Sequence, residues 1–320
     1  MLSPSCANLL AFERLGHFTH RELLPAERVA ELMPAANSAW EEQQLEVHQQ
    51  KLRVILGQEE LDRMDDPKAK PNARLAALKK ELSALPEGAI PFMQGFNLWR
   101  TCAELRELAA SPELAGTASQ LLGCDRVRLY QDSIFVKRPG DGTTHWHSDL
   151  AMAPLDTNQF VTCWLPCQAV PAEEEGGSGL VFASGSHRDT AFHHWYAALE
   201  ALEDGEELDV SDRGYRESVP GALAVGDATW HHGWTLHTAN SNPLPYPRVA
   251  IAFSYFADGA KRLPRKGSRS PHAEDAESYA AWAEGQGAVK PGHPARHELL
   301  PLVWAKGGAQ PLHAPEGRAV

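Results

Sequence analysis

Three residues with metal-binding side chains occupy alternate positions in the stretch GTTHWHSDLAMAP. They are His145, His147 and Asp149. Successive side chains of a β-strand point to opposite faces, so these three share one face if the stretch is extended. Two of them can then bind one metal ion without backbone strain, and a further ligand must come from elsewhere in the chain.

A second histidine-rich stretch, GDATWHHGWTLH, supplies three candidates for that further ligand: His231, His232 and His237. Two histidines and one carboxylate on one face of an ion form the facial triad of non-haem Fe(II) oxygenases, in which three coordination positions stay open. Strand geometry does not choose among the three histidines. His-x-Asp alone is also a weak signal, because a chain of 320 residues can contain it by chance.

An arginine follows the last of these histidines, at the start of the apolar run RVAIAFSYFA. This residue is Arg248, and the planar fork of an arginine is suited to a two-pronged grip on a carboxylate. Together with the triad it predicts 2-oxoglutarate as cosubstrate. That molecule chelates iron through its keto-acid end and needs its other carboxylate neutralised.

The elements that must position these residues change character along the chain. The first 125 residues are mainly helical in pattern; SAWEEQQLEVHQQKLRVIL, for example, has apolar residues at helical spacing. Its Ser38, with a glutamate three residues later, is typical of a capping box at a helix start. In SPELAGTASQLLG, Ser111 is a candidate N-cap, Pro112 the first helical residue and Gly123 a stop signal.

From residue 126, short runs rich in Val, Ile, Phe, Tyr and Trp are bounded by turn residues, which predicts strands. The predicted strands are VRLYQDSIFVK, QFVTCWLPCQAV, SGLVFASGS, GALAVGD and RVAIAFSYFA. Several such strands with turns between them indicate a sandwich or a jelly roll. TAFHHWYAALEALEDG interrupts them as a predicted helical insertion, and a later helix is predicted in AEDAESYAAWAE.

The expected fold class is mainly β with α cover: a double-stranded β-helix (jelly roll, cupin-like) core flanked by N-terminal helices. We expect residues 1–320 to form a single domain. Its expected parts are a mainly helical cover (1–125), a jelly-roll core (126–258) and a loop-rich C-terminal extension (259–320).

Composition narrows the range of partners. The net charge of −12 argues against a nucleic-acid partner and an anionic membrane surface, since both are met by clustered Lys and Arg. The basic run KRLPRKGSR is interpreted as a solvated loop, with an anion site for a charged substrate as the alternative. Five widely spaced cysteines indicate a reduced compartment. No signal peptide, spanning segment or SKL-type ending is seen, so a cytoplasmic location is expected.

The segment from about residue 126 to 257 resembles the phytanoyl-CoA dioxygenase family of Fe(II)/2-oxoglutarate oxygenases. The matching stretches are VKRPGDGTTHWHSD, GGSGLVFASGSH and GDATWHHGWTLHTANSNPLPYPR. In that family, H-x-D is followed by a histidine about 90 residues later and by an arginine 11 residues beyond it. Here His237 follows His147 by 90 residues and Arg248 follows His237 by 11. The resemblance therefore selects His237 as the third ligand.

By this resemblance, Fe(II) is bound by His147, Asp149 and His237, and 2-oxoglutarate by Arg248. The implied reaction uses O2, releases succinate and CO2, and hydroxylates a C–H bond of a small-molecule substrate. Further residues are expected near the cosubstrate or substrate: Lys137, Trp164, Gln131, His145 and His232.

The chain departs from the family pattern at three places. The family often has a proline two residues before the first iron histidine and a glutamine between the ligands, where this chain has His145 and Ser148. Tyr246 stands where many relatives have a small hydroxyl residue near the cosubstrate carboxylate.

Two other interpretations stay open at this stage. One is a cupin-like metalloenzyme that does not use 2-oxoglutarate, and the other is a non-catalytic jelly-roll binding protein. The intact spacing of the triad and Arg248 argues against the second, because a site without chemistry has no reason to keep all four groups. No feature of the sequence identifies the substrate or demands a CoA ester, and none predicts the oligomeric state.

Overall fold

The structure is a computed structural model that describes residues 4–189, 210, 213–264, 282–284, 287–305 and 307–314. The predicted insertion TAFHHWYAALEALEDG and most of the predicted helix AEDAESYAAWAE lie outside the described residues. Of the basic run, Lys261 and Arg262 are described, and the positions from Arg265 onward are not.

The strands of the described residues are, in chain order, β1 (His17–His20), β2 (Met93–Phe96), β3 (Arg126–Lys137), β4 (Thr144–His147), β5 (Phe160–Pro166), β6 (Leu180–Ser184), β7 (Arg216–Ser218), β8 (Ala228–His232), β9 (His237–Ala239), β10 (Arg248–Ala257), β11 (Leu302–Ala305) and β12 (Gly308–Ala309). Eight of them form one sheet in the order β1-β8-β5-β10-β3-β11-β12, with β2 also paired to β3. Four form a second sheet in the order β4-β9-β6-β7. The pairings within both sheets are antiparallel.

The helices of the described residues are α1 (Cys6–Leu15), α2 (Ala26–Glu42), α3 (Gln44–Leu56), α4 (Gln58–Met64), α5 (Pro71–Ser83), α6 (Ala103–Ala109), α7 (Thr117–Leu122) and α8 (Asp149–Met152). None of them is long and apolar enough to cross a membrane. A turn of helix before α7 begins as predicted, because the Ser111 hydroxyl accepts from the Leu114 amide at 3.3 Å. Gly123, at φ 61°, ends α7.

The capping box predicted at Ser38 is wrong. Helix α2 begins at Ala26, directly after Pro25, so Ser38 lies in its interior. Val29 and Leu32 are buried upstream of the serine, and this packing extends the helix across the expected start.

Side chains alternate between the two faces of the central strands, and each face packs into a different apolar cluster. On β5, Cys163 and Leu165 pack with the helices in the largest apolar cluster, whereas Trp164 faces the smaller sheet. On β10, Phe253 points to the helices and Ala252 to the smaller sheet. The larger sheet is thus a middle layer, and the face turned to the smaller sheet carries the candidate site. All five cysteines are free thiols.

The sequence boundaries miss strands at both ends of the chain. β1 and β2 belong to the region predicted as helical cover, and β11 and β12 to the predicted loop-rich extension, yet all four extend the larger sheet. They have two to four residues each, too few to show a periodic pattern. GALAVGD, in turn, forms a turn closed by Asp227, whose carboxylate accepts from the Ala224 amide at 2.9 Å.

Candidate metal centre

The pairing of β4 with β9 places His147 directly opposite His237, with ring centroids 4.2 Å apart. Asp149 lies two residues beyond His147 in sequence. Its Oδ1 is 3.6 Å from Nε2 of His237 and 4.0 Å from Nε2 of His147. One ligand atom from each residue lies within 4.8 Å of the other two. The fold therefore brings His237 to a pair of residues whose first member, His147, lies 90 residues earlier in the sequence.

The extended face expected over His145 to Asp149 is only partly present. Strand β4 ends at His147, Ser148 stays extended, and Asp149 opens the short helix α8. The turn into α8 carries the Asp149 carboxylate to the two imidazoles.

Backbone carbonyls set the tautomers of both histidines. Nδ1 of His147 donates to the His145 carbonyl oxygen at 2.8 Å, and Nδ1 of His237 donates to the Thr235 carbonyl oxygen at 3.0 Å. A carbonyl oxygen only accepts, so each neutral ring keeps its lone pair on Nε2. Burial lowers the pKa of both imidazoles, which favours the neutral form. Two nitrogen lone pairs and a carboxylate oxygen thus converge, an arrangement that fits a divalent cation such as Fe(II).

The second carboxylate oxygen of Asp149 has different partners. Oδ2 accepts from the Thr162 hydroxyl at 2.6 Å and from Nε2 of His231 at 3.0 Å. Burial raises the pKa of Asp149, but the imidazoles of His237 and His231 lower it by more than burial raises it. The net pKa therefore lies well below its ordinary value. The carboxylate is therefore ionised when a metal ion arrives.

The expectation that His232 lines the pocket is wrong, and its neighbour His231 takes that place. Side chains alternate along β8, so His232 points to the helical layer, where its ring lies 6.0 Å from that of Phe12. The signal was present in the sequence, since the bulky Trp230 belongs with His232 on the core side. Choosing between adjacent histidines required the phase of the strand, which two identical residues do not reveal.

Two buried cations lie beside each other at the start of β10. The register of β10 with β3 pairs Arg248 with Lys137. The guanidinium carbon of Arg248 is 5.2 Å from the centroid of Trp164, and its Nε has no hydrogen-bond partner among the described residues. Burial lowers the pKa of Arg248 to about 10, so it stays charged near neutral pH. Burial, with Arg248 nearby, lowers the pKa of Lys137 to about 7. Neighbouring buried cations of this kind are stabilised by a bound anion.

A cavity of about 350 Å³ joins the metal cluster to Arg248. Its wall includes three further residues predicted from the sequence: Gln131, His145 and Trp164. Lys137 does not line the cavity. Its ammonium donates to the hydroxyl of Thr144, 3.3 Å away, and Thr144 is part of the cavity wall. A largely apolar part of the wall comes from α3 and the chain leading into β2: Val54, Ile55, Ala89, Pro91 and Phe92.

Tyr246 and the described part of the basic run lie away from this cavity. Tyr246 is exposed and does not line it. Neither Lys261 nor Arg262 reaches the cavity wall, and Arg262 donates to the Val289 carbonyl oxygen at 2.9 Å. Among the described residues, the basic run therefore adds no charge to the cavity wall, and its interpretation as a solvated loop stays a prediction.

Two antiparallel sheets that hold two histidines, one carboxylate and a buried arginine around one cavity are typical of the non-haem Fe(II) oxygenases. A scan against protein families agrees: the phytanoyl-CoA dioxygenase model matches residues 16–249. The chain belongs to the phytanoyl-CoA dioxygenase family.

Individual relatives are distant. An ectoine dioxygenase from Bordetella parapertussis (strain 12822) is 26% identical over 201 residues, which cover 58% of this chain and 63% of that protein. The match thus spans less than two thirds of the relative's length. Among solved structures, the non-haem alpha-ketoglutarate-dependent carbocyclase SnoK from nogalamycin biosynthesis has a TM-score of 0.60 at 22% identity, over 93% of this chain and 96% of that one. EctD from S. alaskensis, solved with 2-oxoglutarate and 5-hydroxyectoine, has a TM-score of 0.53 at 18% identity, over 85% and 87%.

Proposed function

We propose that this protein is an Fe(II)- and 2-oxoglutarate-dependent dioxygenase that hydroxylates a C–H bond of a small-molecule metabolite, with release of succinate and CO2. The observation that carries the proposal is the convergence of His147, His237 and Asp149 in the same cavity as the buried Arg248. Bound Fe(II) supplies the redox chemistry that couples O2 reduction to decarboxylation of the cosubstrate and oxidation of the substrate.

The protein's own residues bind and orient. Nε2 of each histidine and Oδ1 of Asp149 would hold the metal, and their hydrogen bonds to backbone and side chains keep them in place. Arg248 would bind the distal carboxylate of 2-oxoglutarate through its two-pronged guanidinium. Trp164 packs against that guanidinium, and Lys137, paired with Arg248 across the strands, adds positive charge when it is protonated. The apolar wall from α3 and the approach to β2 would exclude water from the substrate.

Several finer assignments follow from the same reading and remain predictions. We infer that the two sheets form the double-stranded β-helix of a jelly roll, within one domain covering 1–320. The fold likeness to alpha-ketoglutarate-dependent enzymes supports this assignment. The predicted partner is a small molecule rather than nucleic acid or a membrane, in keeping with a cavity near 350 Å³. The cytoplasmic location also stays a prediction.

The test is an assay for succinate with Fe(II), 2-oxoglutarate and panels of candidate metabolites, since slow uncoupled turnover also yields succinate. Arg248→Ala separates the two enzyme readings: it should cripple 2-oxoglutarate-dependent turnover and leave a cosubstrate-free metalloenzyme nearly unaffected. A folded, iron-loaded protein that neither binds 2-oxoglutarate nor forms succinate would refute the proposal. Binding of metal and 2-oxoglutarate without turnover would favour a binding protein.

A further inference from the structure

We infer that His231 is a positioning residue that holds Asp149 as a one-oxygen metal ligand and so keeps three coordination positions open. The inference rests on the proposed function, because it concerns the same metal centre. His231 is not part of the family's metal-binding pattern. It lies one position before His232, the residue that the sequence analysis expected in the pocket.

The sheet register explains how His231 reaches the carboxylate. In the larger sheet His231 on β8 is directly opposite Thr162 on β5, and both side chains face the cavity. Both are buried, and both donate to the same oxygen, Oδ2 of Asp149. Since a carboxylate only accepts, the single proton of the Thr162 hydroxyl goes to Asp149. The Ser254 hydroxyl, 3.0 Å from Thr162, then donates to Thr162 in turn.

The two oxygens of Asp149 are thereby divided between two tasks. Oδ2 is occupied by two hydrogen bonds, and Oδ1 faces Nε2 of both His147 and His237. A six-coordinate ion that takes one oxygen and two nitrogens from the protein keeps three positions for a bidentate keto acid and O2. If Asp149 turned both oxygens to the ion, two positions would remain, one fewer than the reaction needs.

Among the described residues, no hydrogen-bond partner of the His231 ring other than Asp149 is found. Its Nδ1 is buried without a hydrogen-bond partner among the described residues, so Asp149 is the polar contact found for the ring. The unpartnered Nδ1 makes burial of this imidazole costly, and the hydrogen bond from Nε2 to Asp149 is what offsets that cost. The polar role of His231 is therefore its contact with the carboxylate of the metal cluster.

The experiment compares His231→Leu with His231→Gln. The leucine fills similar volume without a donor, whereas the glutamine places an N–H at about the position of the histidine Nε2. Dissociation constants for Mn(II) are measured by calorimetry, with unfolding by denaturant as the check on folding. We expect metal binding about 10- to 100-fold weaker in His231→Leu, the loss typical of residues that orient a ligand, with partial recovery in His231→Gln. The metal-free protein should lose only the contribution of one hydrogen bond, because Asp149 keeps its bond from the Thr162 hydroxyl.

The matched control is His232→Leu, the same change one residue along on the opposite face of β8. It removes the acceptor for the Trp234 amide, and we expect some loss of stability without loss of metal affinity. Thr162→Val removes the other donor to Oδ2 and should reproduce the weaker metal binding. This second variant keeps the inference testable if His231→Leu does not fold.

A second readout addresses the open positions directly. With saturating Fe(II) under anaerobic conditions, chelation of 2-oxoglutarate by the metal gives a visible absorption band. We expect His231→Leu to show a smaller fraction of chelated cosubstrate than wild type, because the released carboxylate competes for a coordination position. Unchanged metal affinity and an unchanged band in His231→Leu would overturn the inference, as would equal losses in His232→Leu. In those cases the wild type still binds metal and 2-oxoglutarate and forms succinate, whereas failure of the proposed function is seen in the wild type itself, as absent binding or absent succinate.

Discussion

Replacing Arg248 with methionine should separate cosubstrate binding from folding. Methionine keeps most of the buried stem and removes the charge. Removing one member of a buried, hydrogen-bonded charge pair costs about 2–5 kcal/mol. Since about 1.4 kcal/mol is tenfold in affinity, the dissociation constant for 2-oxoglutarate should rise ~30-fold to several thousand-fold. The metal-free, ligand-free protein should be no less stable, because the change removes one of two adjacent buried cations.

Ligand-induced stabilisation measures both effects in one assay. At 2-oxoglutarate about 100-fold above the wild-type dissociation constant, with Mn(II) present, the wild type should gain about 2.7 kcal/mol. A variant with ~30-fold weaker binding gains about 0.9 kcal/mol at the same concentration, and a weaker one gains less. Denaturant unfolding with and without cosubstrate, together with calorimetry, gives these values.

The control for this experiment is Arg126→Met on β3. Arg126 forms a 2.8 Å ion pair with Asp258, is half exposed and does not line the cavity. Its removal should change stability by less than about 1 kcal/mol and leave 2-oxoglutarate affinity unchanged. If Arg248→Met binds 2-oxoglutarate like the wild type, or if Arg126→Met shows the same loss, the assignment of Arg248 to the cosubstrate is refuted.

Three further predictions concern the metal, the buried lysine and the loop before β4. Asp149→Ala should abolish Mn(II) binding at concentrations that saturate the wild type, and detectable tight binding by calorimetry would contradict the metal assignment. Burial lowers the pKa of Lys137 from 10.5 to about 7, so between these values the unfolded chain binds the extra proton and stability should rise with pH. Lys137→Met should flatten that slope in denaturant titrations across the window, and an unchanged slope would show that Lys137 is not its source. A Cβ added to Gly142 would meet the Gly88 carbonyl oxygen, so Gly142→Ala should cost about 1–3 kcal/mol, whereas Gly308→Ala, in open space, should cost little.

The parts of the fold with long, regular patterns were predictable from the sequence. β3, β5, β6 and β10 coincide closely with predicted runs, because each alternates between two buried layers or stays apolar throughout. The short strands β1 and β11 carry no periodic signal and join the larger sheet only through pairing with distant partners. Sequence patterns of a few residues do not encode such long-range pairing.

For the candidate site, the sequence identified residue types and spacing but not orientation. His147, Asp149, His237 and Arg248 were selected together on family spacing, and the structure brings them to one cavity. The role of His231 was not predicted, because its contact with Asp149 depends on which face of β8 the residue occupies and on the register of β8 with β5. Helix α8 escaped because its four residues are too few for a helical pattern.

The distribution of charge in the cavity explains why the triad and the arginine indicate a 2-oxoglutarate site only when both are present. The metal end presents acceptors: the Nε2 lone pairs of His147 and His237 and Oδ1 of Asp149. The other end presents the buried guanidinium of Arg248, with which Lys137 is paired across the strands. A dicarboxylate needs positive charge at both ends, so the acceptor end serves such a ligand only when a cation is bound there. Each end of the empty cavity is therefore unfavourable by itself: the metal end brings lone pairs together, and the arginine end brings buried cations together. One metal ion and one keto diacid, bound together, neutralise both ends.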